Sequence, residues 1–122
     1  MERKLSECIR EGAKLRAQAF GDYVRDIATE GMEWGPYEYR TCALGAAYEA
    51  ITGKLPKPDW QHPLRTRKAI YQACGVQGVR IPYPEGVAPG EKALIVNVVS
   101  SLNDGCKWSR EKIADYLESV GY

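Results

Sequence analysis

EKALIVNVVSSLND, residues 91–104, is the stretch whose reading decides the fold. Its valines and isoleucine favour strand, while its spacing favours helix. Ile95, Val98, Val99 and Leu102 form an unbroken i, i+3, i+4, i+7 stripe, whereas strand alternation would put Asn97 and Ser101 on one face with Ile95 and Val99. The stripe predicts a helix over 93–102 that stops at Gly105.

Downstream, Ser109 is placed to cap a last helix, with Lys112 standing where a capping box would have an acid. That helix should bury Ile113, Tyr116, Leu117 and Val120. Its run REKIADYLES reads like the first helix of a helix-turn-helix, but a recognition helix needs a turn and about ten more residues. Too little chain follows Val120 for that, so this helix is expected to dock on a bundle.

Upstream, GVQGVRIPYPEGVAPG around 76–90 is too rich in glycine and proline for anything but a long loop or a short irregular hairpin. Arg65 to Cys74 reads as a helix closed by Gly75, and CALGAAYEAI as a helix capped by Thr41 and ended by Gly53. Leu5, Cys8, Ile9 and Gly12 share one helical face, and Phe20, Tyr23, Val24 and Ile27 repeat the spacing. The first thirty residues therefore read as one or two helices, with a break possible at Gly12 or Gly21, and GMEWGPYEYR as a loop. The fold class is mainly α: a compact helical bundle forming one domain over 1–122.

The 122 residues suit one apolar core, with 44% hydrophobic and 27% charged residues. Basic and acidic residues nearly cancel, leaving a formal charge of +1, so no global field favours nucleic acid or an anionic membrane. No apolar run has signal-peptide or membrane-spanning length, which points to a cytoplasmic protein. The cysteines Cys8, Cys42, Cys74 and Cys106 stand singly, without a CxxC pair, as thiols of a reducing compartment do.

Three segments carry a resemblance. LSECIREGAKLRAQAFG, TCALGAAYEAITG and LNDGCKWSREKIADYLESVG resemble the opening, middle and end of a family of small uncharacterised bacterial and bacteriophage proteins. The resemblance implies a compact single domain and carries no established biochemical activity with it. Members of that family have His-Leu-Asn-Asp-x-His before the tryptophan, often with a CPxC segment upstream, which together look like a zinc site. Here Ser101 and Cys106 occupy the histidine positions and only Cys74 remains upstream. Tetrahedral zinc needs four ligands, so Cys74 and Cys106 read as a degenerate remnant, no metal or other cofactor is expected, and aromatic packing by Tyr83 or Trp108 would take the metal's place.

Cys42 poses a separate question, because a thiol at a helix start feels the helix dipole. Followed along the chain by His62 and then Asn103 or Asp104, it has the residue order of a papain-like hydrolase. Against this, His62 sits between Gln61 and Pro63, and the ALGAA after Cys42 looks like close helix packing. Two surfaces could serve a partner. The loop EWGPYEYR concentrates Trp34, Tyr37 and Tyr39 beside Arg40, the side chains that most often anchor interfaces. HPLRTRKAIYQA places Arg65, Arg67 and Lys68 at a helix start, where positive charge opposes the dipole and suggests contact with an acidic surface or phosphate.

The expectation is a small accessory protein of bacterial or phage type that binds an unidentified protein and has no catalytic activity. A cysteine-dependent hydrolase using Cys42, His62 and Asn103 is the alternative, and a local-patch nucleic-acid binder the third reading.

Overall fold

In a computed structural model, residues 2–21, 24–26, 39–56 and 64–122 of the chain are described. The fold is mainly α, as the periodicities predict. Helix α1 spans Leu5–Ala13, α2 Ala43–Thr52, α3 Arg65–Cys74, α4 Ile95–Ser100 and α5 Arg110–Ser119. Two small antiparallel ribbons accompany them: β1 (Val24–Asp26) with β2 (Tyr39–Thr41), and β3 (Arg80–Pro82) with β4 (Lys92–Leu94).

The deciding stretch divides its allegiance. Lys92–Leu94 pairs with Arg80–Pro82 in a hairpin, and the chain turns helical only at Ile95. The stripe works as predicted, since Ile95, Val98, Val99 and Leu102 are all buried. After Ser100 the helix widens into a π-helical turn, Ser101–Gly105, in which the Cys106 amide donates to the Ser101 carbonyl at 3.1 Å. A single π turn inserted in a helix re-aims the residues that follow, here Leu102 and Asn103, which are both buried.

Glycines punctuate the helices where the sequence places them. Gly53 and Gly75 follow α2 and α3 with φ of 72° and 65°, the left-handed cap that glycine adopts without a Cβ penalty. Gly12 does not break α1. It lies inside the helix and is buried, and a Cβ there would come within 1.8 Å of the Ala46 carbonyl oxygen. The small residues of ALGAA thus let two backbones touch, and α1 packs on α2 more extensively than any other pair of elements.

The amino-terminal third needs correction: α1 ends at Ala13, so Phe20 lies outside any helix and is 38% exposed, and Tyr39 and Arg40 of the expected loop are in β2. Val24 does not continue a helix: Val24–Asp26 pairs with Tyr39–Thr41, in the register Val24↔Thr41. Thr41 accordingly ends a strand, and the residue that caps α2 is Cys42, whose Sγ accepts from the Gly45 amide at 3.3 Å. Tyr23, Ile27 and most of GMEWGPYEYR lie outside the described residues.

One apolar cluster joins the elements. Leu5 and Ile9 of α1, Leu44 of α2, Ile70 of α3, the α4 stripe, and Ile113 and Leu117 of α5 are all buried within it. Tyr116 and Val120 are only partly buried at its edge, with Ala114 taking a buried place on α5. Ser109 caps α5 through its Oγ, which accepts from the Lys112 amide at 3.1 Å. Among the described residues, no helix is long and apolar enough to cross a membrane.

Candidate functional site

Two regions gather the polar chemistry. The first is the amino-terminal end of α2. Asn103, carried inward by the π turn, is buried and uses its whole amide: Oδ1 accepts from the Ala43 amide at 3.0 Å and from Gln18 Nε2 at 2.8 Å, while Nδ2 donates to the Ala19 carbonyl at 2.9 Å and to Asp104 Oδ1 at 2.7 Å. An amide has two donors and an acceptor oxygen, and here nothing is left over. Asn103 therefore caps α2 from a position sixty residues away in the chain.

Arg110 closes the same junction from α5. Its guanidinium donates to the Thr41 carbonyl at 3.2 Å, to Thr41 Oγ1 at 3.1 Å, and to the carbonyls of Ala13, the last residue of α1, and of Arg16 beyond it. The side chain is buried, and desolvation pulls its pKa below the ordinary arginine value, with Cys42 close enough to act in the opposite sense. Glu49, 6% exposed on α2, receives both oxygens' worth of contact from Arg16 Nε at 2.9 Å. Sequence reasoning missed Arg110 and Glu49. A signal existed for Arg110, because a cation in the first turn of a helix opposes the dipole there as it does at Arg65.

The junction thus brings Cys42 and Asn103 to one helix end. Cys42 is buried, at 6% exposure, and both residues are committed to capping the helix. His62 lies outside the described residues.

The second region is the outer face of α3. A cleft of about 510 Å³ opens there, lined by Leu64, Arg65, Arg67, Lys68, Tyr71, Gln72 and Gln77. No acidic residue among the described ones lines it. The helix starts without a side-chain cap and without an acid in its first turn, so its free amides and its cations add their positive potential at one end. Leu64, 71% exposed, supplies an apolar lip. Arg65 and Lys68 form no ion pair with any described residue, whereas Arg3, Arg10 and Arg16 all do.

The remaining sequence candidates are dispersed. Tyr39 and Arg40 lie on β2, with Arg40 exposed, and Trp34 and Tyr37 fall outside the described residues. Cys74 is buried with its sulfur against Cys8, while Cys106 is exposed after the π turn. Among the described residues, no three His, Cys, Asp or Glu side chains converge as metal ligands. Tyr83 and Trp108 both pack, partly buried, against the core.

Comparison of the chain with protein-family models, curated proteins and solved structures gives no match.

Proposed function

We propose that the protein is a small accessory protein that works through protein–protein contact, and that the α3 cleft receives an acidic segment of its partner. The observation that carries this reading is the cleft's combination of sign and surface. Arg65 and Lys68, which form no ion pair among the described residues, line it with Arg67, no described acid lies among the lining residues, and Leu64 and Tyr71 add apolar area. With a formal charge of only +1 over the chain, any such attraction is local and screened beyond about 10 Å at 0.1 M salt. It selects a partner that presents acids beside an apolar anchor, rather than any polyanion.

The test uses labelled Glu- and Asp-rich peptides containing one Leu or Phe, their Gln/Asn counterparts, and a DNA duplex. The expected result is salt-sensitive binding of the acidic peptides alone, weakened about tenfold by Arg65→Glu with Lys68→Glu. Equal binding of acidic and neutral peptides, or no effect of charge reversal, defeats the reading. Preferential binding of the duplex would support the nucleic-acid reading instead.

The hydrolase reading keeps one supporting observation, the meeting of Cys42 and Asn103 beside Arg110. Its own test is the rate of alkylation of native thiols. Exposed Cys106 is expected to react first and buried Cys42 slowly. Fast, selective modification of Cys42 that disappears in His62→Ala would reverse the ranking of the two functions.

A further inference from the structure

One pair of nucleophiles lies apart from both regions. Cys8 sits on the buried face of α1 with no exposed surface, and Cys74 is the last residue of α3. Their sulfurs are 4.0 Å apart, close enough to share a thiol proton and about 2 Å longer than a disulfide bond. The backbones around them are already tied, since the Arg3 amide donates to the Ala73 carbonyl at 3.0 Å.

The two sulfurs differ in access. Cys74 lines a cleft of about 180 Å³ whose other walls include Glu2, Arg3, Lys4 and Tyr122, whereas Cys8 stands behind it without solvent contact. The arrangement is that of an attacking thiol at an opening with a resolving thiol in reserve. The rest of the surroundings are unreactive, because Leu5, Gly75, Val76 and Gly121 complete the cleft.

We propose that Cys8 and Cys74 form a redox-active dithiol, closed to an intramolecular disulfide by a low-molecular-weight disulfide that enters the Arg3–Lys4 cleft. The Cys8 thiolate takes the Cys74 proton as the Cys74 sulfur attacks one sulfur of the reagent, forming a mixed disulfide and expelling one small thiolate. Cys8 gives its proton to that leaving thiolate, then attacks the Cys74 sulfur and expels the second small thiolate. Two electrons pass from the protein thiols to the reagent, which leaves as two thiols.

The electrostatics make Cys8 the base and Cys74, at the opening, the sulfur that attacks as its proton is withdrawn. The thiol of Cys74 hydrogen-bonds to Cys8 and holds its pKa below the ordinary thiol value, with the charge of Arg3 adding to the effect against burial. Cys74 is pushed up, first by the Cys8 sulfur and then by burial. The pair therefore loses its first proton from Cys8 and its second with difficulty, so the Cys8 thiolate starts the reaction as the base that takes the Cys74 proton.

The experiment equilibrates the full-length native protein in glutathione buffers from reducing to oxidising, quenches in acid, alkylates, and maps peptides without reduction. The expected product is one Cys8–Cys74 bridge, with Cys106 carrying at most a glutathione adduct and Cys42 unmodified. The bridged form should melt roughly 5–15 °C above the reduced form, because a long loop is closed in the unfolded chain. In Cys8→Ala the reaction should stop at a mixed disulfide on Cys74. Where that variant fails to fold, the wild-type map decides alone. Persistence of free Cys8 and Cys74 in the oxidising buffer, or a bridge that runs through Cys106 instead, overturns the proposal.

Discussion

The end of α2 and the outer face of α3 use the same kinds of side chain for opposite ends. At α2, Asn103, Gln18 and Arg110 meet amides and carbonyls from the ends of α1, β2 and the π turn, and each contact replaces water with protein. At α3, Arg65, Lys68 and Gln72 stand exposed around a cleft, and the helix begins with its amides uncapped. Buried polar groups stabilise a fold only when fully matched, as they are in the first region. Cations at a helix start oppose its dipole, and Arg65 and Lys68 have no ion pair among the described residues. The contrast separates polar residues matched within the fold from the exposed cations of α3 that the proposed function uses.

The largest effect that could break this contrast is at Arg110. Truncation to alanine removes donors from Thr41, Ala13 and Arg16 at once and leaves their oxygens inside the junction. A loss of about 3–4 kcal/mol in urea unfolding is expected. Arg110→Lys should recover less than half of it, since an ammonium cannot span acceptors that a planar guanidinium reaches together. A cost below about 1 kcal/mol would mean that the junction is not what ties α5 to α1 and β2.

Asn103→Ala comes next, at about 2–3 kcal/mol, because it uncaps Ala43 and strands the Ala19 carbonyl. Asn103→Asp should fall between wild type and alanine. It keeps the acceptor that α2 needs and loses both donations, while setting a carboxylate beside Asp104. If the aspartate were as stable as wild type, the donor half of the amide would be irrelevant and the capping half sufficient.

On α3 the sign of the effect should change. Arg65→Glu with Lys68→Glu puts negative charge at an uncapped helix start, so a gain of about 0.3–1 kcal/mol in stability is expected. The same variant should lose affinity for acidic peptides. Gain of stability with loss of binding would mark these cations as residues kept for a partner, whereas loss of both would place them in the fold alongside Arg110.

Legibility in the sequence follows the same division between local and distant causes. Gly53, Gly75 and Ser109 announce helix ends by chemistry that acts within a few residues, and the structure has those ends. The stripe from Ile95 to Leu102 was readable for the same reason. The pairing of Val24 with Thr41 was not, because it is set by a distant strand while Val24 also fits a helical period. Asn103 looked like a catalytic candidate since its polar type is visible and its partner, Ala43, is not. The cations of α3 were legible because their placement conflicts with their own helix, a conflict that needs no tertiary information to see.

The smallest predicted effect lies at the edge of the junction. Lys107 has φ of 56°, the only positive value at a non-glycine residue among those described. It follows the π turn where a helix cap commonly uses glycine, and the Trp108 amide beyond it returns to the Leu102 carbonyl at 2.9 Å. The left-handed conformation costs a side-chain-bearing residue about 1 kcal/mol. Against that, Lys107 Nζ lies 4.7 Å from the Phe20 ring centroid, a cation–π contact worth about 0.5 kcal/mol at an exposed site. Lys107→Gly relieves the first and forfeits the second, and glycine adds freedom to the unfolded chain. The expected outcome is a net change within about 0.5 kcal/mol of zero, read by chemical denaturation beside Phe20→Ala, which removes the contact alone. A glycine variant more stable by over 1 kcal/mol would show that the turn carrying Asn103 is held under strain by the junction, and that the matched polar region is less relaxed than its hydrogen bonds suggest.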